Sequence, residues 1–192
     1  MTMTADDATP ERWTASSVYP DMWTDPDKDP RDSGKPLTDE RSTLLEYLRA
    51  YRLTLEMKCA DLTPEQLAQR SVPPSTMSLL GLVRHLADVE RYWFRQVMAG
   101  EDVPKLYPAE LESWNGADPD AQLVEDAWQA WRDEVTFADA LIATCDLEAD
   151  GTMRDGKTLQ LREVLVHMIE EYARHCGHAD LLRERIDGRV GQ

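Results

Sequence analysis

His167-Met168-Ile169-Glu170-Glu171-Tyr172-Ala173-Arg174-His175-Cys176-Gly177-His178-Ala179-Asp180 contains three of the four histidines in this 192-residue chain. The stretch has no proline and reads as helix. A helix turns about 100° per residue, so with His167 at zero, Glu171 falls near 40°, His175 near 80° and His178 near 20°. All four lie on one face. Glu171 and His175 are four residues apart, close enough for both side chains to converge on a single ion. The helix is expected to open around Thr158 and to end at Gly188, with basic residues in its last turn.

Working outward, three more long helices emerge from apolar residues recurring at three- and four-residue steps. The first runs from about Asp39 to Cys59, with Leu44, Leu45, Leu48, Tyr51 and Leu55 inward. The next opens near Ser78 and reaches about Ala99 before Gly100, carrying Leu79, Leu82, Val83, Leu86, Val89, Trp93 and Val97. A third starts at Asp118-Pro119 and continues to about Cys145 through Val124, Trp128, Trp131, Val135, Ala138 and Leu141. Thr63-Pro64-Glu65-Gln66 has the form of a capping box and starts a short extra helix. Residues 146–157 form a turn-rich connection suited to a short hairpin, and 101–118 form a long loop with Tyr107 and Trp114 as anchors. Nothing reads as a core strand. The pattern is an all-α four-helix bundle over residues 38–192.

Residues 1–37 differ in kind. Pro10, Pro20, Pro26, Pro30 and Pro36 exclude a long helix there. This polar, Pro/Asp-rich arm is expected to lie extended across the bundle, anchored by Trp23 or Tyr19, with a mobile extreme N-terminus. Its polarity also explains an apolar content of 42%. No segment has the length of apolar sequence that a membrane span needs, and the acidic start lacks the features of a secretory signal. A cytoplasmic location is expected. The net charge of −16 opposes binding to nucleic acid or to anionic membranes, both of which require clustered Lys and Arg. Three widely spaced cysteines, Cys59, Cys145 and Cys176, make neither a disulfide framework nor a zinc finger.

His85 is the remaining histidine. It sits within the apolar run Leu82-Val83 and Leu86, where an imidazole needs partners for its ring nitrogens. Bundles build metal sites from inward side chains on facing helices. His85 with Glu171 and His175 is thus the candidate ligand set. The alternative is an ordinary hydrogen-bonded role for each. His167 and His178 either support these ligands or face the bundle seam. Cys176 reads as a packed thiol, Tyr92 as a candidate pocket residue, and Trp93, Trp128 and Trp131 as core. Arg84 and Arg174 each adjoin a candidate ligand and are expected to point elsewhere.

The quoted stretch, together with Leu79-Leu80-Gly81-Leu82-Val83-Arg84-His85-Leu86-Ala87-Asp88-Val89-Glu90-Arg91, resembles the DinB-like superfamily. It is most similar to the actinobacterial branch related to mycothiol-dependent enzymes of the S-transferase and maleylpyruvate isomerase type. The resemblance spans roughly residues 20 to 188 and implies a DinB-like four-helix bundle. It also implies a divalent metal at His85, Glu171 and His175. Glu171 departs from the commoner all-histidine triad, and His178 stands where many relatives carry glutamine. Two imidazoles and a carboxylate suit Zn²⁺ with one open position; Ni²⁺, Fe²⁺ and Mn²⁺ are compatible. The resemblance further implies a metal-dependent thiol S-transferase with mycothiol or a similar small thiol as co-substrate and an electrophile as acceptor. A metal-dependent hydrolase and a non-catalytic metal-binding stress protein are the alternatives. Both monomers and homodimers are compatible with the pattern.

Overall fold

A computed structural model of the chain describes residues 10–107 and 119–192. The helices are α1 (Glu40–Cys59), α2 (Pro64–Ala68), α3 (Leu79–Glu90), α4 (Ala121–Thr144) and α5 (Leu161–Asp187). α3 continues without a break into a π-helical segment, Arg91–Met98. A two-stranded antiparallel hairpin, β1 (Asp150–Thr152) and β2 (Thr158–Gln160), precedes α5. The fold is an all-α bundle in which α1 packs on α5 and α3 packs on both α4 and α5. Among the described residues no helix is long and apolar enough to cross a membrane.

Local chemistry sets the helix ends. Asp39 accepts from the Ser42 N–H at 2.7 Å and Ser42 Oγ accepts from the Asp39 N–H at 3.1 Å. Thr63 and Gln66 make the expected reciprocal cap on α2, and Ser78 caps α3 through the Gly81 N–H at 3.0 Å. Two starts differ from expectation. α4 begins at Ala121, because Asp120 is the residue whose carboxylate takes the Gln122 and Leu123 N–H groups. α5 begins at Leu161, three residues beyond Thr158, because Thr158–Gln160 pair with Asp150–Thr152 as a strand. The hairpin then serves the helix: Ala149 and Leu147 carbonyls accept from the Leu161 and Arg162 N–H groups at 2.9 and 3.1 Å, donors that a helix start leaves without intrahelical partners.

The arm is pinned on both sides of Trp23, which is 3% exposed. Lys58 Nζ and the Arg189 guanidinium lie 4.1 and 3.8 Å from its ring, a cation–π arrangement. Trp13 and Trp23 bond in turn to the backbone of residues 188–192. Gly188 (φ +81°) ends α5, and a Cβ there would sit 2.0 Å from the Glu11 carbonyl oxygen. Tyr19 is 53% exposed and is no anchor. The expected mobility of the extreme N-terminus (residues 1–9) and the anchor role of Trp114 fall outside the described residues. The inward face of α4 is also turned slightly from the expected stripe: Ala127, Trp131, Glu134, Ala138 and Ile142 are buried, while Val124, Trp128, Val135 and Leu141 pack at its margins.

One polar cluster ties all four long helices together. Arg52 of α1 makes a bidentate pair with Glu90 of α3, at 2.8 and 2.7 Å, and also reaches Asp139 of α4 at 2.7 Å. Tyr172 of α5 donates to Glu90 Oε1 at 2.7 Å and accepts from the Trp131 indole of α4 at 2.8 Å. Burial, then the charge of Glu90, hold the Tyr172 hydroxyl well above the usual phenol range, so it stays a donor. Removing one partner of such a pair leaves an uncompensated buried charge. Glu90→Ala is therefore expected to lower unfolding free energy by about 3–5 kcal/mol in urea titration, with Tyr172→Phe costing less; equal stability of Glu90→Ala and wild type would exclude this role.

Candidate metal centre

α3 and α5 lie side by side, and the helical register of each decides which side chains meet between them. His85 projects from α3 toward the α5 face that carries His167, Glu171 and His175. One ligand atom each from His85, Glu171 and His175 lies within 4.8 Å of the others. His175 Nε2 is 3.2 Å and His85 Nε2 is 3.6 Å from Glu171 Oε2. The two imidazoles meet edge to face, with centroids 4.8 Å apart.

The donor set fits a divalent metal. Ligands about 2.1 Å from a tetrahedral ion stand about 3.4 Å apart, close to the two separations from Glu171, with all three ligand atoms within 4.8 Å. Both imidazoles are also held neutral. Burial, the adjacent His85 and the nearby His178 bring His175 down to about 4 against the opposing pull of Glu171. Burial likewise lowers His85. A neutral imidazole keeps a ring lone pair for a cation, whereas a protonated one has none.

The other two histidines lie around this group. The Nδ1 atoms of His175 and His178 are 3.1 Å apart. With a cation on its Nε2, His175 carries its proton on Nδ1, which is placed to donate to His178. His167 Nε2 stands 3.5 Å from Glu171 Oε1, and its ring packs on Trp93 with centroids 4.6 Å apart. Trp93 is therefore a wall of the site rather than core alone, a role that periodicity did not reveal. It belongs to the π-helical segment, where Ala99 N–H bonds back to Phe94 O at 3.0 Å. The wider turn alters the rotation of Tyr92, Trp93 and Gln96 about the axis relative to a continued α-helix, and π segments often occur at functional sites. Glu134 of α4 braces this segment through Arg91 and Arg95, each at 2.6 Å.

A recess of about 280 Å³ opens beside His85, lined by Asp88, Val89, Tyr92, Trp93, Gln96, Lys105 and Arg154. Tyr92 lines it as the sequence suggested. Lys105 comes from the long 101–118 loop, whose length is of a kind often found at functional sites, whereas Arg154, in the hairpin turn, carries no functional signal in the sequence. Arg84 does point elsewhere, its guanidinium 4.2 Å from the Tyr107 ring centre, and Arg174 is exposed, about 100° around the helix from its buried neighbour His175.

Cys176 is buried and its sulfur faces the Tyr51 carbonyl at 3.7 Å. Burial pushes both the Cys176 and Cys59 thiols up to about 12, so neither supplies thiolate near neutrality. Native protein treated with a chromogenic disulfide at pH 8 should show rapid reaction at the partly exposed Cys145 only, and all three thiols after unfolding in urea. Fast labelling of Cys176 in the native state would contradict this packing.

Comparisons with known proteins agree with the fold. A solved structure described as a conserved protein of locus from Enterococcus faecalis is similar over 75% of this chain and 95% of its own, with a TM-score of 0.52 and 17% identity; that likeness bears on fold alone. No curated protein matches. A family model described as Mycothiol-S-transferase matches residues 43–188, a span that includes His85, Glu171, His175 and all of the long helices except the first three residues of α1. The chain belongs to the mycothiol S-transferase family, within the DinB-like group.

Proposed function

We propose that the protein is a metal-dependent thiol S-transferase, in which His85, Glu171 and His175 hold a divalent metal, with zinc the best match to the donor set, and mycothiol or a similar small thiol is the co-substrate. The observation that carries this reading is the convergence of the three side chains at the edge of a recess large enough for a small molecule. A structural zinc takes four protein ligands, whereas three with an exposed edge is the catalytic pattern.

The chemistry such an ion supplies when bound is a lowered thiol pKa, through its positive charge. The chain's own residues prepare that setting. Glu171 contributes one negative charge, which leaves a centre of two neutral imidazoles and a dication at about +1. His178 takes the Nδ1–H of His175 and so fixes the ring orientation and tautomer, as outer hydrogen-bond partners of ligating histidines do. His167 Nε2 stands 3.5 Å from the second oxygen of Glu171. The recess walls Tyr92 and Trp93 cover the acceptor and limit water. In the overall transfer the thiol gives up its proton to solvent, a sulfur–carbon bond forms, and the leaving group departs with its electron pair. No oxidant or reductant is needed.

Purified protein is expected to hold one divalent metal per chain by elemental analysis, and His85→Ala, Glu171→Ala and His175→Ala to lose it while keeping their helical circular dichroism. His178→Ala should weaken the metal about tenfold to a hundredfold. With mycothiol and 1-chloro-2,4-dinitrobenzene, the metal-loaded protein should form the thioether, and the three ligand variants should not. Consumption of the electrophile at the same rate without thiol would replace the transferase reading with a hydrolase. Metal retained in full by His85→Ala and His175→Ala would remove the site itself.

A further inference from the structure

The chain carries sixteen more acidic than basic groups, yet the recess beside His85 has the opposite balance. Lys105 and Arg154 line it, against one carboxylate, Asp88. Asp88 Oδ1 already accepts the Leu106 N–H at 2.8 Å. Among the described residues neither Lys105 nor Arg154 has a carboxylate within ion-pair distance. The two cations come from separate segments, one following the π helix and one from the β1–β2 turn. Arg154 is oriented, because its Nη2 donates to Gln96 Oε1 at 2.7 Å while Gln96 Nε2 is itself fixed on the Val103 carbonyl at 3.0 Å.

The recess across Trp93 makes the contrast. It has about 480 Å³ and is lined by Glu40, Glu163, Glu170 and Arg162. Arg162 is spent there on Glu40, and on Glu148. An anion placed on that side meets uncompensated acids. On the His85 side it meets two cations and the edges of Tyr92 and Trp93, whose rings sit 5.1 Å apart.

From this asymmetry we infer that the acceptor substrate is a small anionic electrophile, its carboxylate or equivalent group held by Lys105 and Arg154 and its planar carbon frame against Tyr92 and Trp93. The inference rests on the transferase reading only in calling the ligand an electrophile; the anion selectivity stands on the recess. Like-charge repulsion from the rest of the surface makes the local pair the discriminating feature. At the small end of ligand-site volumes, the recess suits a single ring bearing an acid group better than an extended conjugate.

The test separates binding from turnover. Metal-loaded wild type is titrated by calorimetry with 3-nitrobenzoate and, separately, with the isosteric neutral 3-nitrobenzamide, neither of which can react. The benzoate should bind roughly fivefold to tenfold tighter, the scale expected of two exposed ionic contacts, and high salt should erode the difference. In Lys105→Ala/Arg154→Ala the ratio should fall close to one, with circular dichroism unchanged because both side chains are exposed. Equal binding of the two probes by wild type, or a ratio that survives the double substitution, overturns the proposal. The reactive pair 4-chloro-3-nitrobenzoate and 4-chloro-3-nitrobenzamide, assayed with mycothiol, then reports on the transferase reading. Turnover with no preference for the acid would sink the substrate class alone. Charge-dependent binding with no turnover of either would sink the reaction and leave the anion site standing.

Discussion

A carboxylate with no solvent exposure lies at the middle of this bundle, and its compensation fixes where everything else sits. Glu90 is satisfied by the two-pronged guanidinium of Arg52 and by the Tyr172 hydroxyl, which the Trp131 indole supports in turn. Each of the four long helices contributes at least one member. Apolar packing tolerates small slides of one helix past another, whereas a bidentate ion pair does not. Buried ion pairs are weak sources of net stability, and this one is better understood as setting registry. Tyr172 is the immediate chain neighbour of Glu171, and Glu90 lies a little over one turn beyond His85. The pair that fixes α3 against α5 is thus almost adjacent to the three side chains that must meet between them.

The same arrangement separates two electrostatic regions. The network of Arg52, Glu90 and Tyr172 is internally balanced, so it adds little field at the candidate centre. What the centre experiences comes from Glu171, from the histidines around it and from the two cations at its recess. The recess thus holds two cations against one lining carboxylate in a chain whose net charge is −16. The second brace, Glu134 on Arg91 and Arg95, holds the π-helical turn that sets the outlook of Trp93.

Much of this was legible from residue spacing. The convergence of Glu171 and His175 follows from a four-residue step on one helix, and His85 stood out as an imidazole in an apolar run. The Thr63 capping box is a local motif and read correctly, and the starts placed near Asp39 and Ser78 fall on the residues that cap α1 and α3. Other features depend on partners distant in the chain. Arg52 and Glu90 look like ordinary surface charges on amphipathic helices until α1 and α3 are laid together. Thr158–Gln160 reads as the start of a helix, and only pairing with Asp150–Thr152 makes it a strand. The widened turn after Glu90 leaves no periodic signature, so Trp93 was placed in the core. Tyr19 and Trp23 looked alike as arm anchors; the ring of cations around Trp23 distinguishes them.

X-ray absorption at the metal edge tests the central claim most directly, since it reads the ligand set itself. Protein loaded with zinc and free of thiol should show nitrogen and oxygen scatterers only, with the multiple-scattering pattern of two imidazoles, and one sulfur should enter when the thiol co-substrate is added. A sulfur ligand already present without thiol, or a single imidazole, would contradict a centre built from His85, Glu171 and His175.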